Sequence, residues 1–128
     1  MNMQGELGEI LAARSLRDKG YRILTANYRS RFGEIDIIAL NDTYIVFVEV
    51  KTRSEGMIAP PAASVTSAKQ RRIIQTALLF LAEFEMELQP RFDVIEVRLP
   101  HTPKAGKPLE GAEINHIESA FEAEGYYG

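Results

Sequence analysis

The sequence predicts an α/β fold, in which a mixed β-sheet is flanked by helices, for a chain of 128 residues. Two segments have apolar residues at helical spacing, and four segments are rich in β-branched and aromatic residues. Their order is helix, three strands, helix, strand, which is typical of a sheet covered by helices. A chain of this length can bury one substantial core, so we expect residues 1–128 to form a single domain.

The first helix is predicted over residues 4–19, where small and apolar residues recur at helical spacing and Gly20 follows as a helix-ending residue. Its apolar stripe contains Leu7, Ile10, Leu11 and Leu16. Residues 21–28 are predicted to form a short strand, and residues 29–32 a polar connection.

A β-hairpin is predicted next, because residues 34–40 and 44–51 are rich in β-branched and aromatic residues and turn-forming residues separate them. If residues 41–42 form a two-residue turn, Leu40 pairs with Thr43.

Four charged side chains interrupt this otherwise apolar hairpin. The predicted register places Glu34 opposite Glu49, and Asp36 opposite Phe47, roughly 7 to 8 Å diagonally from Glu49. Lys51 shares the face of Glu49 because side chains alternate along a strand. Carboxylates this close in a partly apolar site repel each other, and Mg²⁺ or Mn²⁺ would relieve the repulsion. Alternatively, Lys51 simply neutralises the glutamates on a solvated sheet face, although the surrounding apolar residues favour a strand pair covered on both sides.

The second half of the chain starts with a long helix predicted over residues 67–88, followed by a strand over residues 92–99. Residues 54–64 and 100–111 contain the prolines and glycines typical of loops. Residues 114–121 are expected to add an edge strand or a short helix.

The second helix carries its charges against the helix dipole, because Lys69, Arg71 and Arg72 lie in its first turns. The glutamates near its predicted end are Glu83, Glu85 and Glu87. A bound phosphate would explain this placement, since helix N-terminal amides and nearby cations form an anion site. Gln70 has two explanations of equal weight: it contacts the phosphate, or it completes a capping box that begins at Ser67.

The overall composition excludes several classes of protein. The net charge of −3 argues against coating nucleic acid by bulk attraction, yet residues 1–72 hold 11 of the 15 basic residues against 8 acidic ones, so this part could face a polyanion. No apolar stretch is long enough to cross a bilayer, and the chain has no cysteine. The first residues lack the pattern of a secretory signal, which favours a cytoplasmic location.

Other catalytic chemistries find little support. His101 and His116 are isolated in the sequence and are expected to be surface residues. Without cysteines they make an improbable metal set. Ser30, Ser54 and Ser64 lack a nearby histidine in any recognisable arrangement, so triad chemistry is not expected.

A resemblance to known nucleases adds to this interpretation. Asp36, followed after twelve residues by Glu49-Val50-Lys51 on the adjacent strand, resembles the signature of the PD-(D/E)XK nuclease superfamily, with Ile35 where the superfamily commonly has proline. A longer set of residues resembles the YraN family of small bacterial proteins: Gly8-Glu9, Asn27-Tyr28, Gly33-Glu34-Ile35-Asp36, residues 47–53 and Lys69-Gln70-Arg71. That family is similar in fold to archaeal Holliday junction resolvases, so the resemblance implies a restriction-endonuclease-like sheet.

The resemblance also implies roles for individual residues. Asp36 and Glu49 would be metal ligands, Lys51 would position or activate the attacking water, and Glu9 would be an auxiliary carboxylate. Glu9 has independent support, because on a helix it aligns with the apolar stripe near Leu16 and not with the solvated face. The alternative is that Glu9 is only an edge residue of that stripe.

The predicted function is a Mg²⁺-dependent (or Mn²⁺-dependent) endonuclease that hydrolyses phosphodiester bonds of DNA in repair or recombination. Phosphate contacts carry no sequence information, so we expect selectivity for shape, as in branched or junction DNA. The predicted nucleic-acid-binding residues are Arg29, Arg31, Arg53, Lys69, Gln70, Arg71 and Arg72. The alternative is a non-catalytic nucleic-acid-binding or scaffold module that keeps the nuclease fold. A homodimer would suit a two-fold substrate.

Overall fold

The computed structural model describes residues 3–56, 65–102 and 104–123, which form a five-stranded mixed sheet and two helices. Helix α1 covers Met3–Asp18 and helix α2 covers Ser67–Glu83. The strands are β1 (Arg22–Ser30), β2 (Gly33–Leu40), β3 (Tyr44–Ser54), β4 (Gln89–Leu99) and β5 (Glu113–Phe121). The strands lie in chain order, and β3 and β4 are parallel while the other neighbours are antiparallel. The predicted α/β class is confirmed, and the last segment is an edge strand.

One helix covers each face of the sheet, because the apolar side chains of the inner strands alternate between two cores. Phe47 packs with Ile74 of α2 in one core, which we call the α2-side core. Val48 packs with Leu16 of α1 in the other, the α1-side core. The predicted apolar stripe of α1 is wrong at Ile10, whose surface is 49% exposed.

The loop between β2 and β3 is longer than predicted. Leu40 pairs with Ile45 and not with Thr43. The cause is Asn41, whose Oδ1 accepts hydrogen bonds from the backbone N–H groups of Thr43 at 2.9 Å and Tyr44 at 2.7 Å. The register therefore moves by two residues, and because the side-chain period is also two, the residues of β3 keep their predicted faces.

Helix α2 is shorter than predicted, and the prediction is wrong for residues 84–88. Phe84 leaves the helical conformation at φ −114° and ψ 91°, and its ring packs 4.7 Å from that of Phe80. The N–H of Gln89 already bonds to the carbonyl of Thr43 at 3.0 Å, so the chain must leave the helix early to start β4 beside β3. Of the three predicted helix-ending glutamates, only Glu83 lies in α2.

Strands β1 and β3 extend beyond their predicted ends. Strand β1 continues to Ser30 and β3 to Ser54, which reduces the first connection to Arg31 and Phe32. Residues 57–64 of the predicted loop lie outside the described residues. Neither of the two helices in the described ranges is long and apolar enough to span a bilayer.

Candidate active site

The site lies where β2 and β3 separate. Their ladder ends at the pair Ile37–Val48, although both strands continue beyond it. From that point β2 pairs only with β1, and β3 only with β4. The next residue of each strand is acidic: Asp36 on β2 and Glu49 on β3. Both carboxylates therefore stand beside the gap between the strands.

The predicted cross-strand partners of these acids are wrong. Phe47 lies opposite Ile38 and not opposite Asp36. Glu34 does not pair with Glu49 but with Arg29 of β1, whose Nε lies 3.1 Å from the Glu34 carboxylate on an exposed surface. The two-residue shift of the hairpin register accounts for both corrections.

Asp36 interrupts the regular alternation of β2. Ile35 packs in the α2-side core and Ile37 in the α1-side core, whereas residues two apart in a regular strand share a face. Asn27, which the flanking pairs place across from Asp36 on β1, has a φ of 54°. Asparagine tolerates this left-handed conformation better than most residues. Asn27 thus helps to turn Asp36 out of the strand pattern, a role that sequence reasoning did not assign.

The Asp36 carboxyl is held against β3. Its Oδ2 accepts a hydrogen bond of 2.7 Å from the backbone N–H of Val50. Burial, followed by the charge of Glu49, raises the pKa of Asp36 from 3.8 to about 7; the Val50 hydrogen bond opposes this shift, and the charge of Glu9 adds to it. The charges of Glu49 and Glu9 therefore both act on Asp36.

Glu9 reaches the site from helix α1 because that helix approaches β3 very closely. A methyl group at Gly8 would collide with Oγ1 of Thr52, so only glycine allows this approach. Glu9, the next residue, is half-buried rather than fully solvated. Gly8 therefore sets the distance between Glu9 and the sheet.

Glu49 is paired with a lysine from α2. The Lys69 Nζ lies 2.6 Å from the Glu49 Oε1, with the Glu49 side chain 9% exposed and the Lys69 side chain 50% exposed. Burial disfavours charge on Lys69, but its hydrogen bond to Glu49 and the negative charges of Glu49 and Asp36 outweigh burial and raise the pKa of Lys69. Lys69 was predicted to contact phosphate, and the structure places it on a predicted metal ligand.

Lys51 follows Glu49 on the same face of β3. Burial, together with the charge of Arg53, lowers the pKa of its ammonium group. The Arg53 Nε forms an ion pair of 2.8 Å with the Glu96 Oε2, and the Arg53 side chain is only 11% exposed. The contact is not aligned as a hydrogen bond. Arg53 therefore offers a phosphate far less surface than the other predicted cations do.

The start of α2 differs from the predicted capping box. Thr66 is the N-cap, and its Oγ1 accepts a hydrogen bond from the Lys69 N–H at 3.2 Å. The Gln70 side chain donates to the carbonyl of Val65 at 2.9 Å. The prediction that Ser67 begins a capping box is wrong, because the chain enters the helix one residue earlier.

A basic surface lies at the tip of the β1–β2 hairpin and the start of α2. The β1–β2 hairpin tip is held against α2 by a hydrogen bond of 2.8 Å between Ser30 and Thr76. The Arg31 guanidinium lies 4.8 Å from the centre of the Phe32 ring at this tip. Arg72 of α2 lies beside this tip, where its Cβ would be 3.4 Å from a methyl group at Gly33. The exposed cations of this basic surface are Arg29, Arg31, Arg71 and Arg72.

The donor set fits a hard divalent cation only in part. Within residues 3–56, 65–102 and 104–123, no three acidic, histidine or cysteine side chains form a ready-made metal site. Asp36 and Glu49 can supply oxygen ligands, and Mg²⁺ typically uses one or two carboxylates together with waters and substrate phosphates. The residues therefore fit Mg²⁺ better than an ion that needs a complete protein cage.

A second charged cluster is centred on Asp93 of β4, which pairs in register with Val48, the residue before Glu49. The Arg91 guanidinium forms a two-bond contact with buried Asp93, at 2.8 and 2.9 Å, and donates to the Tyr21 hydroxyl at 2.6 Å. The His116 Nε2 lies 2.7 Å from the same carboxylate, and the His116 side chain is 2% exposed. The prediction that His116 is a surface residue is wrong, because strand pairing buries it against Asp93.

Comparison with known proteins gives a consistent result. The profile of the Uncharacterised protein family UPF0102 matches residues 8–97, which include every residue of the candidate site. The chain is 51% identical over 121 residues to a UPF0102 protein of Alkaliphilus oremlandii, covering 91% of this chain and 96% of that protein. It is 43% identical over 118 residues to the UPF0102 protein TTE1452 of Caldanaerobacter subterraneus subsp. tengcongensis, covering 91% and 93%.

Proposed function

We propose that this chain, which belongs to the UPF0102 family, is a magnesium-dependent endonuclease that hydrolyses phosphodiester bonds of DNA. The observation that carries the proposal is the meeting of Asp36 and Glu49 where β2 and β3 separate. Burial, followed by the charge of Glu49, raises the pKa of Asp36 to about 7, so a positive charge arriving at this carboxylate pair would be stabilised. Perturbed acids of this kind are typical of functional sites.

Asp36 and Glu49 are the residues that would hold Mg²⁺, or Mn²⁺ in its place, with Glu9 close enough to contribute through its charge. Bound there, a divalent cation supplies the charge that polarises a phosphate and lowers the pKa of a water molecule. The Lys51 amine, whose pKa is lowered, would orient the attacking water and accept a hydrogen bond from it when neutral. Hydrolysis adds the water oxygen to phosphorus and leaves the departing oxygen protonated.

The basic surface at the hairpin tip and the start of α2 supports a polyanionic substrate. Arg29, Arg31, Arg71 and Arg72 are all exposed and would contact backbone phosphates without reading sequence. Selectivity would then come from the shape of the DNA, so branched or junction DNA is the proposed substrate in repair or recombination. Such a substrate places the protein in the cytoplasm, and a four-way junction would suit two copies of the chain.

The direct test is cleavage of a labelled panel of four-way junctions, flaps, duplexes and single strands in Mg²⁺ or Mn²⁺. The wild type should cut at least one structure, and Asp36→Asn should not. Asp42→Asn is the matched control, because Asp42 is an exposed aspartate in the β2–β3 loop. A pure wild type that is inert on the whole panel, or an Asp36→Asn protein that still cuts, would overturn the proposal.

A non-catalytic nucleic-acid-binding module is the second candidate, and one observation favours it. Lys69 already supplies a cation to Glu49, so charge at that acid is balanced without a metal. This candidate predicts that the chain binds branched DNA equally well with EDTA or with Mg²⁺, and that Asp36→Asn binds like the wild type. Binding that strengthens with Mg²⁺ only when Asp36 is present would exclude it.

A further inference from the structure

The contact between Lys69 and Glu49 is the shortest ion pair in the described part of the chain. It joins a half-exposed cation to a nearly buried carboxylate, and that carboxylate is one of the two proposed metal ligands. The same ammonium group also senses the charges of Asp36 and Glu34. Lys69 therefore lies where the negative potential of the acidic cluster is concentrated.

An ammonium ion and a divalent cation compete for such a position. Both are attracted by the same carboxylate oxygens, and they repel each other at short range. The backbone of Lys69 is fixed, because its N–H is bound by the N-cap Thr66. Its side chain, however, is a flexible four-carbon stem that can move the charge away from Glu49 without disturbing the helix.

We propose that Lys69 is a built-in counter-ion, which a divalent cation must displace from Glu49 and which then binds a substrate phosphate. This inference rests on the metal site of the proposed function and adds a mechanism of loading to it. The Lys69 side chain is half exposed, and the exposed Arg72 lies three residues further along α2 on the same helix face, so a phosphate bound between them would stabilise the displaced position.

The proposal makes metal and phosphate binding cooperative. A phosphate that holds the Lys69 ammonium away from Glu49 raises the affinity for the metal, and linkage requires that the metal raises the affinity for phosphate by the same factor. A site loaded in this way holds its cation tightly only when substrate is present.

The test is a titration of the wild type and three variants with Mn²⁺ alone. The electron paramagnetic resonance signal of the free ion measures how much Mn²⁺ is unbound at each step. Lys69→Met should bind Mn²⁺ about tenfold more tightly than the wild type, because the competing charge is gone. Lys69→Arg keeps the charge and should bind like the wild type. Arg71→Met removes one charge from the same turn of α2 without touching Glu49, and its affinity should rise by less than about threefold.

Each outcome decides between the proposals. If neither the wild type nor Lys69→Met binds Mn²⁺, the metal site itself is absent and both proposals fail. If the wild type binds and Lys69→Met binds no more tightly than Arg71→Met, the counter-ion role is overturned while the metal site stands. Should Lys69→Met be unfolded without metal, circular dichroism during the same titration gives the affinity from Mn²⁺-induced folding, and a midpoint no lower than that of the wild type overturns the role.

Discussion

Replacing Asp36 with asparagine should stabilise the metal-free protein at alkaline pH. The folded protein keeps the Asp36 proton up to a pKa of about 7, whereas the unfolded chain loses it near 3.8. Between these values the folded state binds more protons than the unfolded state, so stability falls as pH rises. The Asp36→Asn variant cannot ionise and escapes this loss, while its side-chain oxygen can still accept the Val50 hydrogen bond.

The size of the effect follows from the pKa difference. The two values are about 3 pH units apart, and one unit corresponds to about 1.4 kcal/mol, so the difference in free energy of unfolding reaches at most about 4 kcal/mol. The full difference should be present at pH 8 and shrink to about 0.6 kcal/mol at pH 4, where the folded protein is protonated at Asp36 and the unfolded chain is about half ionised there.

Urea unfolding in EDTA at pH 4, 6 and 8 measures this difference, with Asp42→Asn as the exposed control. Adding Mg²⁺ at pH 8 should then stabilise the wild type more than Asp36→Asn, because only the wild type keeps both proposed ligands. An Asp36→Asn protein that is less stable than the wild type at pH 8, or an advantage that does not change with pH, would refute the reasoning.

Substitutions elsewhere test the packing and the basic surface. Gly8→Ala should lower the free energy of unfolding, measured in urea, by about 1–3 kcal/mol, because the added methyl group collides with Thr52. Adding Thr52→Ala should restore part of this loss, and a double variant that restores none would contradict the proposed cause. Arg91→Met should lower the free energy of unfolding by about 3–5 kcal/mol, because the buried Asp93 carboxylate loses its cation. A loss below about 1 kcal/mol in the same assay would contradict the stabilising role of Arg91. Phe32→Trp creates the only tryptophan of the chain, and base stacking at the hairpin tip should quench its fluorescence when DNA binds. Equal quenching by an abasic oligonucleotide would argue against stacking.

The sequence was sufficient to predict features that depend on periodicity. The faces of Glu49 and Lys51 follow from alternation along β3, and they survive a register error of two residues because that error has the same period. The register itself depends on the Asn41 side chain, which accepts hydrogen bonds from the backbone N–H groups of Thr43 and Tyr44. A two-residue turn would not place these two N–H groups beside Asn41. No local sequence pattern predicts that β2 and β3 separate beyond Ile37 and Val48, where Asp36 and Glu49 follow.

Contacts between distant segments explain the other errors. Lys69 was recognised as an unfavourably placed cation, but its partner Glu49 lies on another element and could not be identified from the helix alone. Asp93 lies among apolar residues of β4, and this pattern indicates a buried carboxylate that needs polar or charged partners. One of those partners, His116, comes from β5 through strand pairing, so its burial could not be predicted from its own surroundings.

The inner strands are paired unequally, so the β3 side of the site should be more rigid than the β2 side. Strand β3 is bonded to β4 along its whole length, from Tyr44 to Ser54, whereas β2 pairs with β3 only from Ile37 to Leu40. Amide protons on the β3–β4 side should therefore exchange with solvent only in rare, extensive openings, while those of the β1–β2 hairpin exchange in smaller ones. A displacement of the β1–β2 hairpin would therefore change the distance between Asp36 and Glu49 by moving Asp36, because strand pairing holds Glu49 in place.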